Sequence, residues 1–115
     1  MTDYQVGDFE VKIHASGVVA VPPDYAAQID FIENKKPVGH LKFIRLGNSK
    51  QNHKCGGASE KFTVYFSEIE LSSVLMVLST LRDVKVFCDG PKDGGVKATT
   101  GSGHEVSVIS TAQFD

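Results

Sequence analysis

The sequence predicts an α+β domain, a small antiparallel β-barrel or strongly bent sheet packed on one helix. Three observations lead there. Phe9, Val11, Ile13 and Ala15 alternate with Glu10, Lys12, His14 and Ser16, the period-two pattern of a half-buried strand. Leu71, Val74, Leu75, Leu78 and Leu81, widened by Val77, recur at helical spacing and form one apolar stripe. Strand-like segments lie on both sides of that stripe, so the chain reads as strands, one helix, then more strands.

The first strand continues past Gly17 through residues 18–21 as a long bent strand, or turns back at Ser16-Gly17 as a hairpin; glycine within such a run marks a bulge or bend. Tyr25, Ala27, Ile29 and Phe31 open the next alternating set, giving a strand over 27–33. Asn34-Lys35-Lys36-Pro37 is a turn, and the chain returns over 38–46, with Leu41 and Phe43 opposed to His40 and Lys42. Residues 47–60 are polar and aperiodic, a length of loop that is uncommon without a role. Phe62, Val64 and Phe66 form a strand over 61–66 leading into the helix at about 68–82. Ser67 and Glu70 have capping-box spacing, and Phe66 and Leu71 occupy the flanking staple positions. Strands at 84–88 and 105–111 follow, with a short one around Val96 and a turn cluster at 89–95. The resulting order, β-β-β-α-β-β with an extra N-terminal strand, is that of an OB-like barrel.

The chain has 115 residues, one domain's worth. Its 41% hydrophobic and 23% charged residues exclude a disordered chain. No apolar run approaches the roughly 20 residues of a membrane span. Met1-Thr2-Asp3-Tyr4-Gln5 is acidic and polar, unlike a signal peptide, so the compartment stays open: cytoplasmic, or secreted if a leader was removed. Cys55 and Cys88 are either one bridge or two free thiols.

Charge is distributed unevenly. Residues 1–33 carry Asp3, Asp8, Glu10, Asp24, Asp30 and Glu33 against Lys12, for a net −5. Residues 34–62 reverse this to +6, and the remainder is −3. The basic segment is read first as self-complementary, its strands pairing beside acidic ones. The alternative is an anionic-ligand face built from Lys35, Lys36, His40, Lys42, Arg45 and Lys54, with Lys50 nearby.

The stretch Phe62 to Gly90, FTVYFSEIELSSVLMVLSTLRDVKVFCDG, resembles the strand–helix–strand half of OB-fold B-subunits from AB₅-type toxins. The resemblance covers about a quarter of the chain. It implies a non-catalytic, ring-forming glycan binder whose helices line a central pore, with Ile69, Ser73, Met76 and Thr80 meeting neighbouring subunits. The chain departs from that family in lacking tryptophan, and its cysteines match no family pair, so no glycan-contact residue is carried over.

Ile69 and Met76 also stand out without the resemblance, because they lie seven residues apart on an otherwise serine-rich helix face. Stacked apolar side chains there point to packing against another protomer or partner. His53-x-Cys55 with Cys88-Asp89 and His104 falls short of the two close pairs of a structural zinc site, so no metal or other cofactor is expected. Gly94 to Gly101 has phosphate-loop residue types without the G-x-x-x-x-G-K-[ST] order. No Gly-x-Ser-x-Gly occurs, and Gly101-Ser102-Gly103-His104 reads as a turn. The expected function is a non-enzymatic binding or assembly module, homo-oligomeric or partner-binding through the helix, with a glycan or other small polar ligand approaching loops 47–60 and 90–104. The alternatives are an OB-fold holding single-stranded nucleic acid or another anionic ligand, and a small enzyme of unknown chemistry.

Overall fold

Alternation along the chain sorts into two open sheets that share one apolar interior. The computed structural model describes residues 2–13, 25–45, 52–58 and 60–110; the expected continuation of the first strand over 14–21 and residues 46–51 of the long loop lie outside them. The described elements are β1 (Thr2–Gln5), β2 (Phe9–Ile13), β3 (Tyr25–Glu33), β4 (Lys36–Ile44), β5 (Lys54–Cys55), β6 (Phe62–Ser67), a 3₁₀ turn (Glu68–Glu70), α1 (Leu71–Thr80), β7 (Arg82–Cys88), β8 (Gly94–Thr99) and β9 (Glu105–Ile109). One sheet has the order β1-β7-β8-β9 and the other β2-β3-β4-β6-β5. All neighbours are antiparallel except β4 and β6, which run parallel. The α+β class follows directly. Neither sheet closes on itself, so the expected barrel is not completed by strand pairing among the described residues.

The core-facing residues are those the alternation selects: Ile29 and Phe31 from β3, Leu41 and Phe43 from β4, Phe62, Val64 and Phe66 from β6, all with almost no exposure. The helix contributes Val74, Val77 and Leu78 and packs on β7, β8 and β9, while the 3₁₀ turn rests against β3 and β4. Each fully buried aliphatic or aromatic side chain contributes roughly 1.5–3 kcal/mol, which is why a ten-residue helix of modest propensity holds here. At its start the Glu70 carboxylate accepts the Ser67 N–H at 2.9 Å, and Phe66 and Leu71 both join the core.

Several boundaries differ from the sequence expectation for identifiable reasons. The helical segment begins as 3₁₀ over Glu68–Glu70 and its α part stops at Thr80 rather than 82, because Leu81 is already extended at φ −108°, ψ 169° and starts the run into β7. The turn after β3 is only Asn34-Lys35, both at positive φ (51° and 65°), the conformation of a two-residue hairpin loop. Pro37 therefore lies inside β4 opposite Ile32, where the β3–β4 register shifts; proline has no N–H for the ladder. Gly94 and Gly95 belong to β8 rather than to the turn. A Cβ on Gly95 would stand 2.6 Å from the Phe87 ring, so glycine serves a close approach there. β1 and β5 are strands that sequence periodicity does not announce.

A disulfide joins Cys55 on β5 to Cys88 on β7, with Cα atoms 5.6 Å apart, and so ties one sheet to the other. The bridge spans a sequence separation of 33 residues, and closing a loop of that size stabilises by about 3–4 kcal/mol. Reducing the protein, or replacing both residues in Cys55→Ser/Cys88→Ser, is expected to lower stability by about that amount in urea titration. The double variant should be indifferent to reductant; equal midpoints for oxidised and reduced wild-type chain would contradict the account.

Candidate functional site

The polar side of the five-stranded sheet carries a charged cluster. Alternation places Gln28 and Asp30 of β3 on the face opposite Ile29, and the ladder sets Asp30 directly across from His40 and Gln28 across from Lys42. Asp30 is only 5% exposed. Its Oδ1 lies 2.6 Å from His40 Nδ1 and accepts from Gln28 Nε2 at 2.7 Å, while Oδ2 lies 2.9 Å from Lys12 Nζ. On the far side of the imidazole, His40 Nε2 lies 3.1 Å from Glu60 Oε1. Burial pushes the Asp30 carboxyl upward, but hydrogen bonds from Gln28, Lys12 and His40 outweigh it and hold it at about 2. Bonding to Asp30 likewise raises the Lys12 ammonium. Both ring nitrogens of His40 thus face carboxylate oxygens. Its chemistry is that of a structural ion network.

A second polar group sits at the seam between the sheets. His53 donates its backbone N–H to Pro91 O at 2.9 Å and accepts the Tyr65 N–H on Nδ1 at 3.0 Å. Nδ1 is thus the acceptor of a neutral ring, which lies nearly parallel to Tyr65 with centroids 6.4 Å apart. Burial drives its pKa down to about 4, against a smaller opposing pull from Asp93. Burial, followed by the neighbouring Tyr25, pushes the Tyr65 phenol up to about 12.

The third feature is the outer face of the helical segment. Ile69 is 68% exposed and Met76 47%, and Ser73 and Thr80 between and beyond them are exposed as well. The Thr80 hydroxyl donates to Met76 O at 2.6 Å, so it turns inward along its own helix and leaves the apolar pair prominent. The four residues singled out from the sequence do share one surface.

The basic candidates do not. Lys35 and Lys36 stand at the β3–β4 hairpin end, Lys42 lies with Nζ 5.2 Å over the Tyr25 ring, and Lys54 is on β5, beyond β6. Arg45 follows β4 and is half-buried. Lys61 pairs with Glu33 and Lys97 with Asp3. Of the metal-type residues, Cys55 and Cys88 are committed to the bridge, and His104 turns to Ser102 Oγ at 3.1 Å in the β8–β9 turn. Among the described residues, no group of three or more His, Cys, Asp or Glu has the geometry of a metal site. A recess between β1, β3 and β6, lined by Tyr4, Val6, Phe31, Val38 and Phe62 with Lys61 and Glu33 at its edge, has a cavity volume of about 10 Å³, room for about one water and far below the volume of small-molecule sites. No helix among the described residues is long and apolar enough to cross a membrane.

Two of the perturbed groups, His53 and Asp30, set the response to acid. His53 is protonated in the unfolded chain below about 6.5 but resists protonation in the fold until about 4, so stability is complete above 6.5 and drains as pH falls towards 4. At 1.36 kcal/mol per unit the loss is about 3 kcal/mol. The Asp30 contribution is present above 3.8 and disappears as pH falls through about 2. Urea midpoints are therefore expected to fall in two stages, and His53→Gln should flatten the first. Asp30→Ala, which leaves Lys12 and His40 without their carboxylate, should cost at least about 2 kcal/mol at pH 7; a flat profile from 7 to 4 and a neutral Asp30→Ala would contradict these assignments.

No family model, no curated protein and no solved structure matches this chain; what it does is read from its own residues.

Proposed function

We propose that this chain is a non-catalytic assembly module that associates with further copies of itself through the outer face of the helical segment. The observation that carries the reading is the exposure of Ile69 and Met76 on a segment whose Val74, Val77 and Leu78 are fully engaged in the core. Apolar side chains stacked on an outward face among serines give a partner helix both area and close approach. Asp30 and Glu60 both engage His40, and Cys55 and Cys88 are bridged.

An OB-like half-barrel fits this reading. The Ser110 hydroxyl donates to Tyr65 O and its N–H to Gly94 O, drawing the end of the four-stranded sheet onto β6. Such a body, with helices turned towards one another in a ring, would leave the loop ends free for a small polar ligand such as a glycan. The rival, an anionic-ligand or single-strand-binding face, has less behind it, since His40 is held between two carboxylates and the remaining lysines are dispersed. Enzymatic chemistry would need a base left available to a substrate, and both nitrogens of His40 face carboxylates.

Met76→Asp places a charge in the contact without touching the core. It is expected to lower the particle mass by breaking the helix-face contact while circular dichroism and the urea midpoint stay put. An assembly whose mass is unchanged by this substitution would sink the proposal.

A further inference from the structure

β2 stands at one end of the five-stranded sheet among the described residues. β2 has a ladder partner on one side only among the described residues, and Val11 (38%) and Ile13 (67%) are exposed there. The direction of its backbone groups can be worked out. Asp8 O accepts from Ile32 N, and the register sets Glu10 opposite Asp30 and Lys12 opposite Gln28. Hydrogen-bonded pairs alternate in an antiparallel ladder, so the even residues turn their N–H and C=O towards β3. Phe9, Val11 and Ile13 turn theirs to the open side.

We propose that two copies of this chain join β2 to β2 in an antiparallel pair centred on Val11, making one continuous sheet across a two-fold axis. Phe9 then faces Ile13 of the second copy, Val11 faces Val11, and all three outward residues of each strand exchange backbone hydrogen bonds. Charge selects this register. Centring on Val11 sets Glu10 opposite Lys12 of the other copy at both ends of the pair. The next registers that still join outward-facing groups would set Glu10 against Glu10, or Lys12 against Lys12, directly opposed like charges that destabilise a sheet. Glu10 also lies straight across from Asp30 within its own sheet, which makes a cation on its open side the more favourable. A sheet edge of alternating apolar and charged residues whose charges are self-complementary fits a second copy better than an unrelated strand. This contact uses a different element from the helix face and stands or falls separately from it.

Proline at position 11 removes the outward N–H and leaves the β2–β3 ladder its bonds, an arrangement tolerated at edge strands. Sedimentation across a concentration series is expected to show association that Val11→Pro weakens about 30-fold or more, two hydrogen bonds being lost per dimer. Glu10→Lys, which opposes lysine to lysine and leaves the backbone alone, should weaken it as well. Met76→Asp should leave this contact in place, so loss of the helix-face assembly alone is distinguishable. In the wild-type chain, exchange of the Val11 amide should slow as concentration rises. A monomer throughout, an association that Val11→Pro and Glu10→Lys both spare, or a Val11 amide equally protected at every concentration, as when residues 18–21 of the same chain cover the edge, would each overturn the proposal.

Discussion

Strand β6 is the constraint on which the rest of the molecule depends. Phe62, Val64 and Phe66 fill the core from one face, while Thr63 and Tyr65 on the other are also buried. A strand covered on both sides cannot shift register by one residue without placing polar groups in the core. β6 is therefore fixed between parallel β4 and the short β5, and its neighbours are positioned by it. Gly39 on β4 makes room for the Phe62 ring, whose atoms would stand 2.6 Å from any Cβ there. The Tyr65 N–H finds His53, and Tyr65 O takes the Ser110 hydroxyl. The backbone of one strand thus touches both sheets.

That arrangement explains why the second sheet needs a covalent tie. β5 is two residues long and could not hold the chain before β6 by ladder bonds alone. The disulfide to β7 and the His53–Pro91 bond anchor it instead. The electrostatics follow a similar logic. Asp30 on β3 lies between Lys12 on β2 and His40 on β4 within one sheet. From the basic middle segment, Lys61 likewise pairs with Glu33 at the end of β3.

The parts legible in the sequence were those written as periodicity. β3, β4, β6 and the helix follow from alternation and from the Leu71–Leu81 stripe, and Ile69 and Met76 are visible as interruptions of a polar helix face. β1 and β5 were not, because a four-residue polar strand and a two-residue strand are defined by their partners rather than by their own pattern. β8 was underestimated for a related reason: its glycines look like a turn until Phe87 is seen to lie against Gly95. The Asp30–His40–Glu60 network escaped notice because Glu60 comes from an aperiodic loop, although Gln28, Asp30, His40 and Lys42 already share one face by parity. His53 is recognisable only from its surroundings.

The two outward features, the helix face and the edge of β2, lie on separate elements, and both are apolar with polar neighbours. Each is suited to a surface that excludes water on contact. The measurement that bears most directly on assembly is the absolute mass of the unaltered chain by light scattering behind size exclusion, at low and at high salt. A discrete multiple of 12.4 kDa that survives high salt is the expected result, since apolar contacts are not screened. A mass of one chain at both salts would contradict it.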